Sequence, residues 1–192
     1  MEQNKSLQQR MDDAFDNYFA MSIVLRDDLV ELCKIRNEEQ HWKRNFIRTS
    51  AVLFEGYTHC LRDMCAISFE CRAPKLTNKE TAALRLEKKF TAEERIKLTL
   101  RAAYRLFELD SAPDFGDQGW SGARRIFQKR DVLMHPKAQD DLTVHDDCWR
   151  DINYGASWLL RQYAQFFALL QGKIADNKGA GVDSTIEEGR II

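Results

Sequence analysis

Chain breakers are scarce in this sequence: 3 prolines and 9 glycines lie among 192 residues. A chain of many short strands needs turn residues at roughly every 8–12 positions, so the shortage favours long helices. Long apolar runs are missing too. None approaches the roughly 20 residues of a membrane span. The polar opening MEQNKSLQQRMDD holds no signal-peptide apolar region. The expectation is a soluble, cytoplasmic protein with no membrane partner. Cys33, Cys60, Cys65, Cys71 and Cys148 are odd in number and none forms C-x-x-C. That excludes a complete disulfide frame and a C-x-x-C zinc site, and fits free thiols in a reducing compartment. Net charge is only -1, so a polyanion would have to be met by a local patch, not a global field. Glycine-rich phosphate loops, H-E-x-x-H and G-x-S-x-G are all absent, which removes the common nucleotide-cofactor, zinc-hydrolase and serine-hydrolase signatures. No cofactor and no metal is expected.

What is present is amphipathic. Hydrophobic content is 44% and charged content 31%, a balance that builds a packed core and argues against wholesale disorder. Leu7, Met11, Phe15, Tyr18, Leu25, Leu29 and Leu32 recur every three or four residues or at sums of these steps, which predicts one helix over residues 5–37. Trp42, Phe46, Leu53, Tyr57, Cys60 and Met64 do the same over 41–71, before Pro74. Thr77-Asn-Lys-Glu80 and Thr91-Ala-Glu-Glu94 read as capping boxes, in which threonine and glutamate side chains satisfy free N–H groups at a helix start. They predict a short helix to about Phe90 and another to about Leu109. SAPDFGDQG is a loop, residues 120–134 a helix stopped by His135-Pro136, and 137–144 a second loop. The last helix, 145–173, presents Ile152, Ala156, Leu159, Tyr163, Phe166 and Leu170 on one face. The sum is an all-α antiparallel bundle of four to five helices spanning residues 1–173, with a flexible C-terminal tail over 174–192.

RDVLMHPK, residues 130–137, carries the chemistry. Arg130 shares a helical stripe with Ala123, Ile126, Phe127, Leu133 and Met134, so it leans toward the bundle and needs a carboxylate or an anionic ligand. His135 stands where proline ends the helix. An imidazole titrating near neutrality can move the proton of a 2′-hydroxyl, and a guanidinium can bind phosphate oxygens as charge builds on them. RNA can be cut by such a pair without a metal. From Trp120 to Lys137, Arg124, Arg125, Lys129, Arg130 and Lys137 face only Asp131, a local cationic patch that could guide RNA. On the second helix, His41, Arg44, Arg48, Glu55, His59 and Arg62 form one polar stripe. Glu55 could orient His135 or pair with Arg130, and Arg48 could add a phosphate contact.

The R-x4-H spacing with a polar residue after the arginine resembles the signature of HEPN domains. Those are all-helical bundles found in prokaryotic toxins, anti-phage systems and RNA-processing nucleases. The resemblance implies a metal-independent endoribonuclease working as a homodimer, with two such motifs facing across one cleft. Arg130 and His135 fill the fixed catalytic positions and Asp131 the polar one. RNA is the implied substrate, a 2′,3′-cyclic phosphate the implied end, and a protein partner or antitoxin a further implied contact. Pro136 and Lys137 stand where one toxin subgroup carries a tyrosine. Arg36 to His41 has the same spacing, and even an asparagine at 37, but lies in the charged run RNEEQHWKR at a turn. Two alternatives stand beside the nuclease: a catalytically inactive HEPN-like dimerisation or binding module for a protein or nucleotide, and a helical scaffold. In the latter His135 merely caps a helix favoured by its dipole, Arg130 pairs with a carboxylate, and Trp120, Trp149 and Trp158 are core.

Overall fold

The computed structural model describes residues 5–35, 39–71 and 75–187, with side chains described through Ala175 except that of Cys71. Among the described residues the chain is all α. Five long helices and one short one follow in order: α1 Leu7–Lys34, α2 Gln40–Cys71, α3 Asn78–Leu84, α4 Ala92–Leu106, α5 Gln118–Met134 and α6 Asp146–Glu187, with a 3-10 turn at Gln139–Leu142 between the last two. No helix among the described residues is long and apolar enough to cross a membrane.

The local rules that start these helices are visible atom by atom. At Thr77 and Thr91 the hydroxyl accepts the N–H of Glu80 and Glu94, and each glutamate accepts the threonine N–H in return. Ser6 and Gln9 form a third such box at α1. Glu80 does more: it is almost fully buried and its carboxylate also lies 3.2 Å from Arg105 Nη1, tying the start of α3 to α4.

Helix α2 lies at the centre and packs on α1, α4, α5 and α6. Its predicted apolar face, from Trp42 to Met64, is buried, as is the face of α6 from Ile152 to Leu170. Trp120, Trp149 and Trp158 all belong to the core. Cys60 and Cys65 are buried free thiols, and burial pushes both thiols' pKa upward. They pack as small apolar residues.

Two helix ends differ from the sequence pattern. Helix α3 stops at Leu84, well short of Phe90, because Leu86 enters the left-handed region at φ 56° and the Glu87 N–H turns back to the Ala82 carbonyl at 3.1 Å. That closure is the Schellman arrangement, which glycine normally serves. Leu86 is exposed and strained there, so Leu86→Gly should raise stability by roughly 0.5–1 kcal/mol, the relief outweighing glycine's extra freedom in the unfolded chain. Urea denaturation reads this directly. Helix α4 is closed in the same way after Leu106, with Glu108 at φ 49° and the Leu109 N–H turned back to the Tyr104 carbonyl at 2.8 Å, and the Lys173 ammonium reaches the carbonyls of Phe107 and Glu108 at 3.1 Å. At the other end of the chain, α6 continues through 174–187, past the point where the apolar face ends at Leu170. The periodic face places the core, but it does not mark where the backbone leaves the helix.

Helices α5 and α6 cross at unusually close range. A methyl placed on Gly122 would strike the Asp151 carbonyl, and one on Gly155 would strike the backbone of Gly122 and Ala123. Two glycines facing each other let the backbones touch. This contact fixes α5, and α5 carries Arg130.

Candidate functional site

The polar stripe of α2 forms one wall of the site. Arg44 Nη1 donates to the Leu142 carbonyl at 3.0 Å. One turn further, Arg48 Nη2 reaches the Leu133 carbonyl at 3.4 Å, in the last turn of α5. Glu55 then meets Arg130: Nη2 donates to Oε1 at 3.0 Å and Nη1 to Oε2 at 3.5 Å. The pairing is a fork, with both guanidinium nitrogens on both carboxylate oxygens, the geometry in which arginine outperforms lysine. Arg130 is 25% exposed and Glu55 31%. Of the two roles open to Glu55, the structure gives it the pairing with Arg130. Asp131 Oδ1 lies 2.9 Å from Arg130 Nε, but the angle is not that of a hydrogen bond, and Nε remains buried without an acceptor. Arg48 Nε is in the same state. Two guanidinium groups at one end of α5 therefore carry unmet donors.

His135 closes α5. Its N–H bonds the Asp131 and Val132 carbonyls at 3.1 and 3.3 Å, and its backbone leaves the helix at φ -133°, ψ 57°. The side chain is exposed and makes no hydrogen bond or ion pair among the described residues. In a regular helix five residues amount to an offset of about 140° around the axis. Leaving the helix at residue 135 frees the imidazole from that constraint.

The segment after His135 is held firmly. Asp141 Oδ2 accepts the N–H groups of Lys137 and Ala138 at 2.7 and 2.9 Å. Those two bonds favour the ionised carboxyl and hold it below the ordinary aspartate range, with Lys129 and Lys137 adding to the shift. A depressed folded pKa means the restraint is complete above the usual aspartate titration and is lost as pH falls through the lower value. The amide proton shifts of Lys137 and Ala138 should therefore titrate with a midpoint below the ordinary aspartate one, and Asp141→Asn should abolish that step. Further along, Gln40 bonds both the N–H and the carbonyl of Val144, and buried Lys43 pairs with Asp146 at 2.7 Å. The loop after the motif is thus pinned to the start of α2.

The cationic patch is more compensated than its sequence implies. Arg124 lies 3.5 Å from Glu93, Arg125 lies 2.7 Å from Asp151, and Lys129 donates to the Asp141 carbonyl. Lys137 is exposed and its ammonium makes no hydrogen bond or ion pair among the described residues, acting on Asp141 only through its charge. In the second R-x4-H match, Arg36 and Asn37 lie outside the described residues, while His41 sits 3.2 Å from Glu39.

One functional candidate was not legible in the sequence. Arg95, in the first turn of α4, brings Nη2 to 3.7 Å from the same Glu55 oxygen that holds Arg130. Only the packing of α4 on α2 puts it there. No group of three or more His, Cys, Asp or Glu side chains among the described residues could hold a metal ion. Comparison with protein-family models, with curated proteins and with solved structures gives no match to this chain.

Proposed function

We propose that this chain is a HEPN-type endoribonuclease that cuts RNA without a metal. The observation that carries the reading is the end of α5, where a carboxylate-braced Arg130 and an exposed, unpartnered His135 flank one helix terminus. The imidazole of His135 takes the proton of a ribose 2′-hydroxyl. The 2′ oxygen attacks phosphorus, the bond to the 5′ oxygen breaks, and that oxygen leaves protonated. The products are a 2′,3′-cyclic phosphate and a 5′-hydroxyl. Arg130 holds the non-bridging oxygens as negative charge grows on them. Glu55 keeps its guanidinium in place, and Arg48 and Lys137 add cationic contacts. Val132 and Met134 stay exposed on either side of Leu133 and supply apolar surface beside the motif for a second copy. Two copies meeting there would furnish both a base and an acid.

A second reading draws on the Arg130–Glu55 pair itself. In a binding module that ion pair is purely structural and His135 only ends a helix. RNA incubated with pure protein in EDTA decides between them. The nuclease predicts fragments ending in cyclic phosphate from RNA and none from DNA of the same sequence, which lacks the 2′-hydroxyl. No cleavage of structured or unstructured RNA overturns it in favour of the module.

A further inference from the structure

A cleft of about 250 Å³ opens between α2, α3 and the first turn of α4, with Glu55 in its lining and Arg130 outside it. Nothing in the cleavage chemistry uses it. Its lining sets Ala83, Ala92, Ile96 and the exposed Leu86 beside the buried Thr58 and Thr99. Its rim is polar and cationic: Arg95 and Arg62 stand there with His59 and Glu55.

The charges are unequal. Glu55 stands between two guanidinium groups, and it is hydrogen-bonded to Arg130 at 3.0 Å. Arg95 is left at 3.7 Å and nearly half exposed. Arg62 is mostly covered, paired with Asp63, and donates to His59 Nδ1 at 3.0 Å. A cation with a second-hand partner, beside a cleft lined by both aliphatic side chains and threonines, is suited to a ligand with a flat ring that also carries polar edges and an anionic group. The volume lies just under the roughly 300 Å³ where pockets for drug-sized molecules begin, so it suits a single ring system with its phosphate, not a dinucleotide.

From this we infer that the cleft is a nucleotide subsite. It takes one unpaired nucleotide of the RNA beside the cleaved bond, its base against Ile96 and Leu86 with the Arg62 guanidinium as a stacking plane, and its phosphate on Arg95. Unstacked bases are what proteins read in single-stranded RNA, and arginine planes are among the groups that read them. The inference rests on the ribonuclease reading and names its substrate as single-stranded, because a paired base cannot enter a cleft of this size. Glu55 links the two regions, since its Oε1 lies 3.0 Å from Arg130 and 3.7 Å from Arg95 of the cleft.

The test uses the full chain and nucleoside 5′-monophosphates, with inorganic phosphate as comparison, followed by amide shift changes in titration. Monophosphates should bind more tightly than phosphate, with the largest changes at residues 83–96. Arg95→Ala should weaken them by about tenfold or more, the worth of a charged hydrogen bond. Ala92→Phe, which sets a ring in the mouth at the first position of α4, should block them. Equal binding of phosphate and monophosphate overturns the base contact. No binding, or binding that both variants leave unchanged, overturns the subsite. These outcomes separate from those of the nuclease: cleavage without nucleotide binding removes the subsite alone, and nucleotide binding at 83–96 without cleavage removes the nuclease alone.

Discussion

Replacing His135 by alanine is expected to reduce RNA cleavage by about 10²–10⁴-fold, the usual worth of a positioned general acid or base, while the melting temperature stays nearly where it was. The separation of the two effects follows from the structure. The contribution of His135 to the fold is made by its backbone, whose N–H satisfies the Asp131 and Val132 carbonyls at the end of α5. Alanine keeps that N–H. The imidazole is exposed and unpartnered, so its removal leaves no cavity and no orphaned polar group. What is lost structurally is at most its attraction to the helix C-terminus when protonated, a few tenths to about 1 kcal/mol. Arg130→Ala is a less clean probe. It leaves Glu55 facing only Arg95 at 3.7 Å, so some stability goes with the activity. Arg130→Lys keeps the charge but gives up the fork on Glu55, and should restore folding better than cleavage. Initial rates at matched purity, set beside thermal melts of the same samples, make the comparison. Full cleavage by His135→Ala would remove the imidazole from the mechanism.

The residues that made the bundle legible were those whose signal is local. Capping at Thr77 and Thr91 needs only four residues, and both caps are made as written. The buried faces of α2 and α6 follow from a period of 3.6, which needs only one helix. Part of the site was readable for the same reason. The polar stripe from His41 to Arg62 is a single-helix property; Arg44, Arg48 and Glu55 of it reach α5 or the loop after it, while His59 and Arg62 line the cleft beside α3 and α4. The early end of α3 was harder, because it depends on Leu86 adopting a backbone conformation that leucine rarely takes. Arg95 was not readable at all: its partner Glu55 lies forty residues earlier, and only tertiary packing joins them. The patch at 124–137 was readable as charge but not as compensated charge, since Glu93 and Asp151 come from other helices.

Two glycines within α5 and α6 set the other large effect. Counted in sequence, glycine is a helix breaker, and Gly122 and Gly155 would each weaken a helix by about 1 kcal/mol relative to alanine. On propensity alone, Gly155→Ala should stabilise the protein. The structure reverses the sign. A methyl at 155 would overlap the Gly122 carbonyl carbon and the Ala123 nitrogen, both backbone atoms that no side-chain rotation can move. To make room the α5 and α6 axes must separate, and the separation reaches the buried contacts around the crossing, including Ala123, Phe127, Ile152, Ala156 and Leu159. Overpacking of this kind costs about 1–3 kcal/mol where side chains can yield, and more where backbone opposes backbone. A net loss of about 3 kcal/mol is expected, a large part of the roughly 5–15 kcal/mol that a domain possesses. Gly172 supplies the control, on the same helix. A methyl there meets nothing within 4 Å, so Gly172→Ala should follow propensity and gain up to about 1 kcal/mol. Urea midpoints of the two variants should therefore move in opposite directions. If they move together, the close crossing of α5 and α6 does not hold the bundle, and the position of Arg130 against Glu55 must be fixed by something else.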